Sequence, residues 1–207
     1  MAAPAAEGGN KYPEPAPAVV VGGKRYRQCA VALVFNNDGR VLVAERSDKR
    51  GSWQMPQGGV DAGETTEMAA TRELYEEVGL EVPVNGLQRV ATLEGDDQCC
   101  YDVDGGWLRK AGYAGQRLGF GLFHMPCSSE DPAPMCNLSG LGHGAAEFHA
   151  VRWASWDDVL ENIWGPKLPA YRRCKELATE HLASMTEAQG TAEGEPSPLR
   201  IFVEARL

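Results

Sequence analysis

Short apolar stretches separated by turn signals predict most of the β-strands. Residues 28–36 are rich in Val, Ala, Leu and Phe and end in Asn-Asn-Asp-Gly at residues 36–39, a strong turn signal. A second apolar run follows at residues 40–45, so we predict a β-hairpin. Three later runs predict further strands, at residues 87–93, 117–125 and 149–153.

Three other segments have the pattern of helices. Thr65 can cap a helix that ends at Gly79, and Ser155, with Asp158 three residues later, can cap a second one. The predicted helices span residues 66–78, 156–163 and 170–185. A mixture of strands with a few helices predicts an α/β (α+β) sandwich.

The two ends of the chain differ in composition from the middle. Residues 1–24 hold Ala, Pro, Gly and Glu with little apolar patterning, and residues 187–198 repeat that character. We therefore predict one domain at residues 25–186 between flexible tails at residues 1–24 and 187–207. Within the second tail, residues 199–207 are apolar enough to dock as an edge strand or to act as an interaction tail, and the sequence leaves both open.

Length and charge narrow the classes of function. A chain of 207 residues with 43% apolar and 24% charged residues is typical of a single globular domain. Its formal net charge of −9 disfavours nucleic-acid binding through a broad basic surface, so a phosphate-rich ligand would need help from cations. The apolar runs are shorter than the roughly 20 residues that cross a bilayer, so we expect no membrane segment.

The six cysteines lack the regular spacing of a disulfide or zinc framework. We interpret them as reduced thiols in a reducing compartment. The first residues lack the basic and apolar regions of a secretory signal, so we expect a cytoplasmic location, and import into an organelle stays open.

Three carboxylates converge on one side of the first predicted helix. At about 100° per residue, Glu73, Glu76 and Glu77 fall within an arc of roughly 100°. Like charges at this spacing cost a helix about 0.2–0.5 kcal/mol each, and no cation at the right spacing offsets them. Hard divalent cations take carboxylate oxygens as ligands, so a metal site and a solvated acidic face are the two interpretations of this cluster.

The glycine loop before this helix, together with Arg72, favours the metal site over the solvated acidic face. The spacing G-x5-E-x7-R-E-U-x-E-E-x-G-U, where U is a bulky aliphatic residue, is met without exception, and it resembles the signature of the Nudix family, whose members hydrolyse nucleoside diphosphates linked to another moiety. The matching residues are Gly58, Glu64, Arg72, Glu73, Leu74, Glu76, Glu77, Gly79 and Leu80.

The resemblance implies a fold, a cofactor and part of a site. The fold would be an α/β/α sandwich with a mixed sheet and a loop-helix-loop motif, and the cofactor would be Mg2+ or Mn2+. Arg72 would pair with a glutamate of the helix and orient it, and Glu64 would support the loop or the metal shell. The implied metal ligands are Gly58, Glu73, Glu76, Glu77 and, from a second segment, Glu147.

A narrower signature precedes the box. The run W-Q-x-P-Q-G-G at residues 53–59 resembles the branch that holds bacterial RNA 5′-pyrophosphohydrolases and plant-type diadenosine polyphosphate hydrolases. Glu147, followed by Phe148 and a W-containing strand, resembles the branch's loop glutamate, which helps to hold a metal or acts as the base. The substrate-binding residues that this branch implies are Arg27, Arg46, Gln57, Gly58, Gly59, Lys167 and Tyr171. The branch's lysine and tryptophan after Gln116 are absent or replaced by Arg117 and Phe120.

The resemblance implies in-line attack of water on a 5′-polyphosphate chain, with Glu147 or Glu73 taking the proton. The catalytic residues that it implies are Glu73, Glu76, Glu77, Glu147 and Arg72. The first hypothesis is asymmetric cleavage of diadenosine tetraphosphate to ATP and AMP. The alternative is removal of pyrophosphate from the 5′ end of RNA. A small-nucleotide pyrophosphatase and a non-catalytic binding protein with a Nudix fold are the other candidates, although the complete glutamate set argues against the last.

Overall fold

The computed structural model describes residues 17–128, 130–141 and 145–188. Within these residues the chain forms nine strands and four α-helices. The strands are β1 (Ala18–Val21), β2 (Lys24–Asn36), β3 (Val41–Arg46), β4 (Trp53–Gln54), β5 (Gln57–Gly59), β6 (Gln88–Leu93), β7 (Cys100–Asp102), β8 (Gly115–Met125) and β9 (Phe148–Ala154). The helices are α1 (Thr66–Val78), α2 (Gly106–Lys110), α3 (Trp156–Asn162) and α4 (Leu168–Ala188).

The strands form one mixed sheet around β2. The central order is β4-β3-β2-β8-β6, with β1 and β5 also paired to β2, β7 to β8 and β9 to β3. β2 and β8 run parallel over their whole contact, whereas β3 and β5 pair with β2 in the antiparallel sense. The predicted hairpin is confirmed by the antiparallel pairing of Phe35 with Val41.

Helices cover both faces of the sheet, and successive side chains of β2 point to opposite faces. Val31, Leu33 and Phe35 lie in one apolar cluster together with residues of α3 and α4. Ala32 and Val34, which point to the opposite face, lie in a second cluster together with residues of α1. The fold is therefore the predicted α/β/α sandwich.

The helix that carries the acidic cluster is fixed at both ends. The Thr65 hydroxyl accepts a hydrogen bond from the Met68 N–H at 3.2 Å. At the other end Gly79 has φ of +72°, and its N–H donates to Tyr75 O. A left-handed residue after the last turn favours glycine, so the helix ends before Gly79. The predicted bounds 66–78 are confirmed.

The folded part begins earlier than predicted. Residues 18–21 were expected in a flexible tail, but they form β1, which pairs with residues 24–27 across a two-glycine turn. The Ala-Val-Val-Val sequence of β1 has high β propensity, but a run of four residues is too short to predict a strand by itself. Residues 1–16 and 189–207, including the predicted docking segment 199–207, lie outside the described residues.

All six cysteines lie among the described residues and are free thiols. In the described part of the chain, no helix combines the length and the apolar character needed to cross a membrane.

Candidate active site

One cleft of about 510 Å³ collects most of the predicted site residues. It is lined by residues of β3, β5, α1 and α2, together with residues just before β9 and just before α4. The predicted residues that line it are Arg27, Arg46, Gln57, Gly58, Glu73, Glu77, Glu147 and Lys167.

Glu73 reaches the cleft because Gly58 has no side chain. The side chain of Glu73 is buried, with the residue 8% exposed, and a Cβ on Gly58 would overlap its carboxylate. Burial raises the pKa of Glu73, and the adjacent Arg72 opposes that rise. The Glu73 carboxylate therefore occupies the space that Gly58 leaves open and is bound there by Arg72.

Arg72 connects the loop and helix carboxylates. Its Nε and Nη2 donate to the two carboxylate oxygens of Glu64, each at 2.8 Å. Its Nη1 donates to Glu73 at 2.6 Å and to Glu76 at 3.4 Å, and Nη2 also donates to Gly59 O at 2.8 Å. The predicted pairing with a helix glutamate is confirmed. Since its bonds go to protein groups, Arg72 is a positioning residue.

Glu77 lies one turn further along the helix than Glu73 and faces Glu147. Its carboxylate accepts a hydrogen bond from the Gln57 N–H at 2.8 Å. Burial raises the pKa of Glu77 well above the usual range, and the negative charges of Glu147 and Glu73 raise it further. The structure thus places Glu147 beside the helix despite the sequence separation of 70 residues, 147 minus 77.

Two arginines stand on the walls of the cleft. Arg46 donates to Glu147, and also to Asp48 at 2.7 and 3.0 Å. Arg27 lies over the ring of Trp107, with its guanidinium carbon 5.0 Å from the ring centroid. A Cβ on Gly59 would overlap the Arg27 guanidinium, so the second glycine of the loop makes room for this cation.

Lys167 is a buried cation at the floor of the cleft. It is 7% exposed, and its ammonium group donates to Gln54 Oε1 at 2.8 Å. Burial lowers the pKa of Lys167 to about 8. The ammonium also lies 5.7 Å from the centroid of the Tyr101 ring. Gln54, which the sequence had given no role, is therefore the residue that orients Lys167.

Tyr171 does not contact substrate as predicted. It is 0% exposed, and its hydroxyl donates to Gln57 Oε1 at 3.0 Å. The prediction was wrong because α4 turns this ring into the core beneath Gln57. Its role is to position Gln57, whose N–H holds Glu77.

The two suggested replacements for the branch's lysine and tryptophan do not reach the cleft either. Phe120 is fully buried in the core. Arg117 donates to Gly95 O at 2.8 Å and is not a lining residue. The cleft instead contains Trp107 and Trp164.

The donor chemistry fits a hard divalent cation. The carboxylates of Glu73, Glu77 and Glu147 could supply oxygen ligands, and desolvation and neighbouring carboxylates raise the pKa of the first two. Among the described residues, no three acidic, imidazole or thiol groups already stand in metal-binding geometry. Arg72 donates to one oxygen each of Glu73 and Glu76, and Arg46 to one oxygen of Glu147, so a metal bound here would share these carboxylates with the two guanidinium groups.

The close approach at Gly58 gives a testable prediction. In G58A the new methyl group displaces the Glu73 carboxylate, so we expect turnover to fall at least about 10-fold and the free energy of unfolding to fall by about 1–3 kcal/mol. Gly105 offers the matched control, since a Cβ there meets open space and its φ of −162° suits alanine. Kinetics and urea unfolding of G58A and G105A measure both effects, and equal behaviour of the two variants would contradict the packing argument.

Comparisons with known proteins agree on one family. The family model described as NUDIX domain matches residues 25–174. A protein of Erythrobacter litoralis named RNA pyrophosphohydrolase is 55% identical over 153 residues, covering 72% of this chain and 87% of that protein. A Bradyrhizobium protein of the same name is 35% identical over 164 residues, covering 74% of this chain and 93% of its own.

Solved structures share the fold at lower identity. A Mycobacterium smegmatis Nudix hydrolase, RenU, aligns with a TM-score of 0.52 and 20% identity over 79% of this chain and 95% of its own. A C. elegans Ap4A hydrolase aligns with a TM-score of 0.50 and 17% identity over 74% of this chain and 98% of its own. The fold, the box and the family match lead to the same conclusion: the chain is a Nudix hydrolase.

Proposed function

We propose that this Nudix hydrolase removes pyrophosphate from the 5′ end of triphosphorylated RNA. The observation that carries the proposal is the name shared by its relatives, RNA pyrophosphohydrolase, at up to 55% identity across the matched domain. The first hypothesis from the sequence, cleavage of diadenosine tetraphosphate, has less support. The Ap4A hydrolase of C. elegans is 17% identical, and a likeness at that level shows the fold alone.

The cleft supplies cations suited to a polyphosphate chain. Arg27 and Arg46 present guanidinium groups, whose fork geometry matches phosphate oxygens, and Lys167 adds a point charge at the floor. These three groups would hold the distal phosphates in an otherwise acidic protein. Gln54 keeps the ammonium of Lys167 directed, and Gln57 keeps the Glu77 carboxylate in place.

The acidic groups would hold Mg2+ or Mn2+. The proposed ligands are the carboxylates of Glu73, Glu76, Glu77 and Glu147, with the backbone of Gly58 beside them. When bound, such ions neutralise phosphate charge and lower the pKa of the attacking water. Glu73 and Glu147 are the two cleft carboxylates that we propose as alternative proton acceptors.

A parallel substrate assay tests the proposal. The protein is incubated with Mg2+ and equimolar 5′-triphosphorylated RNA or diadenosine tetraphosphate, and the products are separated by chromatography. We expect 5′-monophosphorylated RNA to form with a kcat/KM at least about 10-fold above that for the dinucleotide, a difference of about 1.4 kcal/mol. Faster release of ATP plus AMP would contradict the proposal and restore the first hypothesis.

A further inference from the structure

A basic surface stands beside the cleft of this acidic protein. We define it by Arg25 at the start of β2 and by Arg109 and Lys110 at the end of α2. All three are exposed, and none forms an ion pair with a carboxylate in the described parts of the chain. No role in the proposed hydrolysis uses these cations.

Tyr113 holds two of the three cations together. The Arg25 guanidinium carbon lies 5.4 Å from the centroid of the Tyr113 ring. Arg109 Nη1 donates to Tyr113 O at 3.5 Å, and the next residue, Ala114, donates its N–H to Arg25 O at 2.7 Å. The segment after α2 thus fixes the basic surface to the edge of the sheet.

The basic surface continues into the cleft through Trp107. This side chain lines the cleft and packs against Arg27, which lies two residues after Arg25 on the same face of β2. Trp107 is nevertheless 58% exposed, the largest exposure of an aromatic residue among the described exposed hydrophobic side chains. An exposed indole that lines the cleft beside an arginine is a platform on which a nucleobase can stack.

The local charge is opposite to that of the whole chain. Residues 24–27 and 102–113 carry five cations and two carboxylates, Asp102 and Asp104, while the chain as a whole has a net charge of −9. Asp102 is already bound by Lys24 at 2.6 Å and by the Tyr26 hydroxyl at 2.7 Å. Asp102 also attracts Arg109, but five cations against two carboxylates still leave a local positive region.

We propose that the RNA strand leaves the cleft across this basic surface. The inference rests on the proposed function, since it names where the chain beyond the 5′ nucleotides is held. Backbone phosphates would contact Arg25, Arg109 and Lys110, and a base would stack on Trp107. A small nucleotide ends within the cleft, so this surface selects single-stranded RNA over free nucleotides.

The test compares substrates that differ only in length. The R25Q/R109Q variant is assayed on a 5′-triphosphorylated dinucleotide and on a 5′-triphosphorylated RNA of about twelve nucleotides with the same first two bases. We expect kcat/KM for the longer RNA to fall about 10-fold and its dependence on log salt to become shallower by about 1.4, the value for two phosphate contacts to a single strand. Cleavage of the dinucleotide should stay within about twofold of wild type.

The matched control is R40Q/R172Q, which removes the same charge at the β2–β3 turn and on α4, and should leave both substrates unaffected. Equal effects of the two double variants, or no loss with the longer RNA, would overturn the inference. Fluorescence anisotropy with a 5′-hydroxyl RNA of the same length measures RNA binding without hydrolysis, since this RNA has no polyphosphate. It therefore separates the basic surface from the proposed function. If wild type cleaves no triphosphorylated RNA, the proposed function fails, while weaker binding by R25Q/R109Q alone would still support the basic surface.

Discussion

E77Q is expected to abolish phosphoanhydride hydrolysis, lowering kcat by at least about 100-fold. Glu77 lines the cleft and faces two further carboxylates, and its neutral amide analogue keeps the size but loses the charge that would bind a divalent ion. Steady-state kinetics with saturating Mg2+ measure the effect. The control is E81Q, which changes an exposed glutamate just beyond the same helix and should retain full activity.

The same substitution should stabilise the metal-free protein at neutral and alkaline pH. Burial and neighbouring carboxylates raise the pKa of Glu77 in the folded state, so the folded protein binds its proton more tightly than the unfolded chain does. Stability is therefore lost as pH rises from the unfolded pKa, about 4.3, through the folded one. E77Q lacks this loss, and thermal unfolding in a chelating buffer at pH 8 should show a higher Tm than wild type. A lower Tm would contradict the argument that the charged Glu77 is a cost to folding.

R72A is expected to damage both the fold and the reaction. Removing the guanidinium leaves Glu64 and Glu73 without their cation and leaves Gly59 O without its donor. The Arg72 side chain is 26% exposed, so solvent reduces the loss, and we expect about 2 kcal/mol less free energy of unfolding. Turnover should fall about 10- to 100-fold because Glu73 loses its orientation.

R72K separates charge from geometry. Lysine keeps the positive charge but cannot make the forked contact to Glu64 together with the bonds to Glu73 and Gly59. We expect R72K to recover part of the stability and little of the turnover. Wild-type turnover in R72K would show that the fork geometry has no role in positioning Glu73.

The acidic helix was predictable because its information is local. Thr65, Gly79 and the spacing of the glutamates determine where α1 begins, where it ends and which face is acidic. The positions of Glu147, Arg46 and Lys167 around that helix are not local, and only the resemblance to a family suggested them. The structure places all three around one cleft.

Elements that depend on tertiary contacts were missed. β1 is four residues long and α2 five, so neither has a pattern long enough to stand out, and β1 is held by its pairing with β2. The direction of the Tyr171 side chain was also hidden, since it depends on how α4 packs under Gln57. The basic surface could be listed residue by residue from the sequence, but only the pairing around Tyr113 brings residues 25 and 109 together.

The most direct test of the central claim is to identify the 5′ end that the enzyme leaves on RNA. RNA labelled separately at the α- and γ-phosphates is incubated with Mg2+ and either wild type or E77Q. The account predicts that wild type releases the γ label in pyrophosphate and leaves the α label on a 5′-monophosphate, and that E77Q releases neither. Retention of the γ label on RNA by wild type, or equal release by E77Q, would contradict it.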